Sequence, residues 1–166
     1  MFKKDDYLVY GNDVCQVADI KVSSFNNEKY YVLKPMTDLS LTISIPVSSD
    51  KLKKIMTKKE ALRLINSIDE VEVIDVKNEK MYGSQYKELF STGDHTSLIK
   101  IIKTTYLRNK KRKENNKKIS DIDDTFFKKS ERLLYDELAI ALGKTYDEIK
   151  EYIKELIDNK NAGKDE

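Results

Sequence analysis

Short apolar runs that alternate with polar positions dominate the first 47 residues. These runs occupy residues 7–10, 14–22, 30–33 and 41–45, and β-branched and aromatic side chains are frequent in them. Turn-forming residues separate the runs: Gly11 and Asn12 follow the first, and Pro35 and Pro46 end the last two. The spacing therefore predicts four or five short antiparallel strands joined by tight turns.

From about residue 51 the apolar positions change to helical spacing. They recur every three or four residues over residues 98–106, 126–141 and 149–157. Thr57 and Thr145 each precede a glutamate by three residues, which is the spacing of a capping box. Gly93 and Gly143 stand where a helix can end in the left-handed conformation. The pattern predicts helices over residues 57–68, 79–90, 94–111, 120–142 and 145–158.

The change of pattern predicts an α+β chain of two domains. The first is a small antiparallel β-barrel of the Tudor or SH3 type over residues 1–68, with a short trailing helix. The β-branched stretch 71–76 suggests an extended connector, which we place at residues 69–78. Residues 79–158 form an all-α bundle of four to five helices, and residues 159–166 form a disordered tail.

Composition narrows the class of protein further. The chain has 166 residues with 31 basic and 29 acidic side chains, for a net charge of +2. No apolar run is long enough to span a membrane, and the first residues lack the apolar core of a signal peptide. A single cysteine, Cys15, excludes an intrachain disulfide framework. We therefore expect a cytoplasmic protein.

Residues with catalytic chemistry are few. His95 has no second histidine or cysteine nearby, so we interpret it as a surface residue at a helix start. Cys15 lies within a predicted strand, as a small core residue would. Residues 143–145 resemble the end of a phosphate-binding loop, but the motif needs a glycine where Leu138 stands. We expect no enzymatic activity, no metal and no cofactor.

The charge is unevenly distributed along the chain. Residues 100–118 contain nine basic side chains and one acid, Glu114. Lys128, Lys129 and Arg132 follow on the next predicted helix. A cluster of this kind favours phosphate binding with little reading of base sequence.

Several segments resemble the CarD-type bacterial transcription regulators. Residues 2–20 resemble the opening segment of that family, and residues 30–33 and 41–47 resemble its next strands. Residues 86–89, 92–94, 98–108 and 130–142 resemble segments of its helical half. The resemblance covers about residues 2–157, and the order and spacing of the segments are more specific than any one of them.

The resemblance implies two binding surfaces. The family has a Tudor-like domain, shared with the transcription-repair coupling factor, that binds the RNA polymerase β subunit. Its helical domain contacts the backbone of promoter DNA at the upstream edge of the melted bubble. By position, the polymerase-binding residues here are Lys21, Ser23, Leu41, Thr42, Ile43, Ser44 and Ile45. The DNA-binding residues, which agree with the basic cluster, are Tyr82, Lys87, Lys103, Arg108, Lys110, Lys128 and Lys129. No membrane and no small-molecule substrate is implied.

The chain departs from the family pattern at both surfaces. Ser23 and Ser44 stand where some relatives have arginines that contact polymerase. The chain has no tryptophan, which many relatives insert into the minor groove, and Tyr82 is the nearest aromatic by position. Two alternatives stay open: a polymerase- or protein-binding module whose helices contact another protein, and a nucleic-acid-processing enzyme.

Overall fold

The architecture is α+β, with a curled antiparallel sheet followed by helices. The structure, a computed structural model, describes the backbone of residues 1–164 and the side chains of residues 1–159. The chain divides into two units, Met1–Thr57 and Lys58–Glu166. The first contains the sheet and the second the helices.

The sheet is a half-barrel of five antiparallel strands in the order β4-β3-β2-β1-β5. The strands are β1 (Tyr7–Tyr10), β2 (Asp13–Val22), β3 (Lys29–Pro35), β4 (Ile43–Pro46) and β5 (Leu52–Lys54). The pairing of β2 with β3 shifts register between Val17 and Asp19. Such a bulge bends a strand and increases its twist, which helps a small sheet to curl around its own core.

The core of the sheet follows the predicted alternation. Leu8, Cys15, Val17 and Leu33 are fully buried, and the ring of Tyr31 packs edge-on against Phe2. The Tyr31 hydroxyl accepts a hydrogen bond from the Phe2 backbone N–H at 3.0 Å. The N-terminal residues therefore cover one end of this core.

Three details of the sheet differ from the prediction. The strand expected at residues 41–45 begins only at Ile43, because the Leu41 N–H donates to the Asp38 carbonyl oxygen and closes a turn. The strand expected at residues 30–33 runs from Lys29 to Pro35, and Pro35 is its last residue and pairs with Cys15. Strand β5 lies in a segment whose pattern looked helical, and it pairs with β1.

The second unit contains five α-helices. They are α1 (Lys58–Asn66), α2 (Tyr82–Thr92), α3 (His95–Glu114), α4 (Asp121–Leu142) and α5 (Tyr146–Lys164). Short 3-10 helices occupy Ile68–Glu70 and Glu79–Met81. Gly93 and Gly143 follow α2 and α4 with φ of 67° and 64°, a conformation that glycine adopts at low cost.

The helix starts have local causes as well. The Asp94 carboxylate accepts from the Ser97 N–H at 2.7 Å, and the Ser120 hydroxyl accepts from the Asp123 N–H at 3.3 Å. Each of these bonds satisfies one of the amides that a helix start leaves unpaired. The caps set the start of α3 and α4, and therefore which of their side chains face each other.

Helix α3 is buried along its first half. It packs against α2 and α4, and Leu98, Ile99, Ile101 and Ile102 are all buried along it. A helix that is buried on most sides has little amphipathic contrast. The apolar run at its start therefore predicts the burial of this half better than its periodicity does.

Segment boundaries in this unit also differ from the prediction. Helix α1 packs against α4 and belongs with the helices, whereas the sequence pattern predicts it as the end of the β domain. Helix α3 continues to Glu114 through part of the predicted loop. Helix α5 extends to Lys164, where residues 159–166 were predicted to be a disordered tail. Residues 165 and 166 lie outside the described residues.

Candidate nucleic-acid interface

A buried carboxylate organises the basic end of α3. Asp123 lies in the first turn of α4 and is 0% exposed. Its Oδ2 accepts from Arg108 Nε at 2.9 Å and from Arg112 Nη1 at 2.7 Å. Its Oδ1 accepts from the buried Tyr86 hydroxyl at 2.8 Å. Arg108 and Arg112 are four residues apart, so helical geometry brings both guanidinium groups to this carboxylate.

The Asp123 carboxylate and the three side chains that donate to it form a polar hub, and this hub also orients an aromatic ring. The Arg108 Cζ lies 3.6 Å from the centroid of the Tyr82 ring, and the Tyr82 ring lies 5.9 Å from that of Tyr86. Burial lowers the pKa of Arg108, but its hydrogen bond to Asp123 and the negative charge there leave the pKa above its usual value. A charged guanidinium against a tyrosine face is a stable cation–π arrangement.

These groups form the wall of a basic cavity, which we call the Tyr82 pocket. It has a volume of about 530 Å³ and is lined by Glu79, Tyr82, Arg108, Lys111, Arg112, Asn115 and Lys117. Lys111 and Lys117 are exposed, whereas the two arginines are held by Asp123. Four cations face one exposed acid, Glu79, so the pocket suits an anion such as a phosphate group.

The predicted DNA-binding residues separate into three groups. Tyr82 and Arg108 both line the Tyr82 pocket. Lys87, Lys128 and Lys129 are exposed side chains on α2 and α4. Lys128 pairs with Asp124 at 2.9 Å, and the Lys129 Nζ lies 5.5 Å from the Phe126 ring centroid.

Lys103 does not belong to the predicted DNA-binding surface, and Lys110 does not line the Tyr82 pocket. Lys103 is buried, and its Nζ donates to the carbonyl oxygens of Ile68 at 3.0 Å and Val71 at 2.8 Å. It ties the segment after α1 to α3, so its assignment to DNA is wrong. Lys110 pairs with Asp158 of α5 at 2.9 Å and lines a different cavity.

Sequence reasoning missed four residues of this site. Lys111, Arg112 and Lys117 belong to the basic cluster but are not among the predicted residues, and Asp123 is one of three acids in the first turn of α4, where a negative charge is favourable whatever it binds. The four-residue spacing of Arg108 and Arg112 was the signal for two cations on one helix face. Nothing in the sequence says which first-turn acid faces them.

The residues predicted to bind polymerase lie on or near strand β4. This strand stands at one edge of the sheet, and Ser44 is exposed on it. Leu41 and Thr42 are exposed in the preceding turn, whereas Ile43 is half-buried and the Ile45 side chain belongs to the core. The side chain of Ile45 is therefore unavailable to a partner, and only its backbone could take part.

The two remaining predicted positions lie on the β2–β3 hairpin. Lys21 is exposed and pairs with Tyr30 across the hairpin. The Ser23 hydroxyl accepts from the Phe25 N–H at 3.1 Å and shapes the turn. Phe25 is 99% exposed at this turn. The hairpin therefore presents an apolar ring that was not among the predicted residues.

The reactive side chains have structural partners. His95 is the first residue of α3, as predicted, but its Nε2 lies 3.1 Å from both carboxylate oxygens of Glu137. The hydrogen bond to Glu137 raises the pKa of His95 despite partial burial. Burial, with a smaller contribution from Asp13, raises the pKa of the Cys15 thiol to about 11.

Two further features concern metal binding and membrane insertion. Among the described side chains, no group of three or more His, Cys, Asp or Glu residues is placed to hold a metal ion. Within the described residues, none of the helices is both long and apolar enough to cross a membrane.

No protein-family model matches this chain, and no curated protein matches it.

Proposed function

We propose that this protein is a non-enzymatic transcription regulator of the CarD type. Its N-terminal unit, a Tudor-like domain, binds the RNA polymerase β subunit, and its helical domain contacts promoter DNA without reading base sequence. The protein is cytoplasmic and reaches the nucleoid through polymerase. The observation that carries the proposal is the Tyr82 pocket, where four cations and an aromatic ring line the same cavity.

The chemistry of the pocket suits a nucleic-acid backbone. Arg112 uses its Nη1 to bind Asn109 and Asp123, and a guanidinium has further N–H donors for a phosphate. Lys111 and Lys117 add mobile charges next to it. Tyr82 offers a ring that can stack on an unpaired base at a bubble edge, more weakly than a tryptophan because it buries less area.

The regulatory effect follows from linkage. A protein that binds the open complex more tightly than the closed complex shifts their equilibrium by the ratio of its two affinities. Docking on polymerase would raise the effective concentration of the helical domain near the promoter. A modest and non-specific affinity for DNA is then sufficient to change the lifetime of the open complex.

Strand β4 supports the polymerase contact. An edge strand carries backbone groups that can pair with a strand of another protein. Ser44 and the turn residues Leu41 and Thr42 are exposed beside that edge. The outer edge of β4 therefore combines backbone groups that can pair with a further strand with small and apolar side chains nearby. This combination suits docking on a sheet edge of a partner protein.

The DNA contact is tested by fluorescence anisotropy on the full chain. A duplex and the same duplex with a melted bubble are titrated between about 50 and 200 mM KCl. The double variant Lys111→Glu/Lys117→Glu should weaken binding and reduce the salt slope by roughly 2, since each lysine neutralises one phosphate. Lys59→Glu/Lys144→Glu is the matched control, because it makes the same charge change at two exposed positions elsewhere.

Equal losses in the two double variants would show only a general charge effect and would reject the Tyr82 pocket as the DNA site. Tyr82→Phe should keep binding to the bubble, whereas Tyr82→Ala should reduce the preference for bubble over duplex. If neither DNA binds but polymerase does, the helices contact a protein instead.

The polymerase contact is tested by calorimetry of the full chain with the isolated β-subunit lobe. We expect micromolar affinity that falls at least tenfold in Leu41→Asp/Ser44→Arg. Lys53→Asp/Lys54→Arg, on the opposite edge strand β5, controls for placing an acid and an arginine on a sheet edge. Absence of binding by the native chain would remove the polymerase role.

A further inference from the structure

A second cavity lies among α3, α4 and α5, and the proposed function does not use it. Its volume is about 380 Å³, and none of its lining residues belongs to the Tyr82 pocket. Small-molecule sites in proteins have volumes of this size. The chemistry of the lining therefore decides which kind of molecule fits.

Most of the wall of this cavity is apolar. The rings of Tyr106 and Phe127 stack with centroids 6.2 Å apart and an interplanar angle of 29°. Ile102, Ile119 and Ile157 also line the cavity. Because apolar groups gain free energy when such a wall replaces water around them, the cavity favours a ligand with an apolar body.

The two acids that line the cavity already have partners. The Glu131 Oε1 accepts from the Tyr146 hydroxyl at 2.8 Å and pairs with Lys150 Nζ at 3.2 Å. The Glu131 Oε2 is buried, so a ligand in the cavity does not reach it. Asp124 pairs with Lys128 at 2.9 Å. The negative charge of both acids is therefore compensated within the protein.

Lysines give the opening of the cavity a positive charge. Four of the described residues that line it are lysines, of which Lys110 pairs with Asp158 and Lys150 with Glu131. The other two, Lys113 on α3 and Lys154 on α5, are exposed. A carboxylate has two acceptor oxygens, so each of these two ammonium groups can donate to one of them.

We infer that this cavity binds a small amphipathic carboxylate, in which one carboxylate group is joined to an apolar body. The apolar body covers the wall that includes Tyr106 and Phe127. The carboxylate lies at the opening, where Lys113 and Lys154 donate to it. An aromatic acid and a medium-chain fatty acid share this chemistry, and the experiment separates the two sources.

Calorimetry of the full chain with 1-naphthylacetate and with octanoate tests the inference. We expect at least one of these carboxylates to bind at one site per chain, and the tighter of the two identifies the apolar body as aromatic or acyl. The matching neutral amides, 1-naphthylacetamide and octanamide, keep the apolar body but remove the charge. Each amide should bind at least tenfold more weakly than its carboxylate. Acetate lacks the apolar body and should not bind measurably.

Charge reversal at the opening then locates the site. Lys113→Glu/Lys154→Glu should weaken binding of the carboxylate at least tenfold, whereas Lys59→Glu/Lys144→Glu, which makes the same charge change at exposed positions elsewhere, should leave it unchanged. Equal losses in the two double variants, or binding at several sites per chain, would indicate general adsorption and overturn the inference. Failure of both carboxylates to bind, or equal binding of an amide, would overturn it as well. None of these measurements uses DNA or polymerase, so their outcome is independent of the proposed function.

Discussion

Replacing Asp123 by asparagine removes the charge at the centre of the polar hub on α3 and α4. The change keeps the size of the side chain but leaves the Arg108 and Arg112 guanidinium groups without their anion. It also replaces one carboxylate oxygen by an amide nitrogen, which cannot accept from the cations it faces. We therefore expect the helical unit to be destabilised while its shape is kept.

The magnitude follows from the burial of the hub. Removing one partner of a buried ion pair costs about 3–5 kcal/mol. Here Asp123 is 0% exposed, but the two arginine side chains are 19% and 22% exposed and can regain some hydration. We expect the lower end, about 3 kcal/mol, which is a large part of the 5–15 kcal/mol that stabilises a typical domain.

Urea denaturation followed by circular dichroism at the helix band measures this loss. For a slope of about 2 kcal/mol per molar urea, the midpoint should fall by roughly 1.5 M. Tyr86→Phe is the companion variant, since it removes only the hydroxyl that donates to Asp123 and should cost about 1.5 kcal/mol.

A double-mutant cycle supplies the decisive comparison. Because the Tyr86 hydroxyl and Asp123 bind each other, the effect of Tyr86→Phe should shrink in the Asp123→Asn background. A loss below about 1 kcal/mol for Asp123→Asn, or strict additivity with Tyr86→Phe, would refute the reasoning that the hub is a coupled buried network.

Three further outcomes follow from single residues. The raised pKa of His95 means that its pair with Glu137 stabilises the fold fully below pH 6.5. This stabilisation is lost as the pH rises through the folded-state pKa. In urea titrations, the difference in free energy of unfolding between the native chain and His95→Asn should therefore be larger at pH 5.5 than at pH 8.5. Cys15, with a pKa of about 11 and a buried thiol, should react with a disulfide reagent at pH 8 only after unfolding, and rapid reaction of the native chain would contradict its burial. Lys103→Met should lower the free energy of unfolding by about 3 kcal/mol in urea titrations, because it removes charged hydrogen bonds to the backbone carbonyls of Ile68, Asp69 and Val71. The salt slope of this variant for DNA binding should equal that of the native chain.

The sheet was predictable where one face of each strand is buried. Tyr31, Leu33 and Pro35 are buried at every second position of β3, and the apolar runs of β1 and β2 placed those two strands within a few residues. Strand β5 has only three residues, two of them exposed lysines, so it carries almost no periodic signal. Its pairing with β1 is a tertiary effect that a local pattern does not contain.

The helices were predictable from their ends. Asp94 and Ser120 cap α3 and α4 as their positions in the sequence suggest, and Gly93 and Gly143 end α2 and α4. The position of α1 was not predictable, because the sequence shows an apolar stripe but not which unit covers it. The packing of α1 against α4 decides this.

The candidate site was predictable as a charge pattern but not as a geometry. Basic residues in one segment indicate a surface for anions, yet Lys103 in that segment turns inward to cap carbonyl oxygens. A lysine can do this because its long stem is apolar and its ammonium group has three donors. Arg108 is bound to Asp123, which lies on α4, so counting the charges along α3 does not reveal this pair.

Strand β4 also bears on how readily one copy of the chain can pair with another. An uncovered edge invites pairing with another copy, and repeated pairing of this kind builds aggregates. Here the edge strand has only four residues and ends at Pro46, which has no N–H to donate. A short edge strand that ends in a proline limits how many backbone hydrogen bonds a second copy can form with it. The strand that we propose as a docking edge thus offers a second copy too few residues to template a growing fibre.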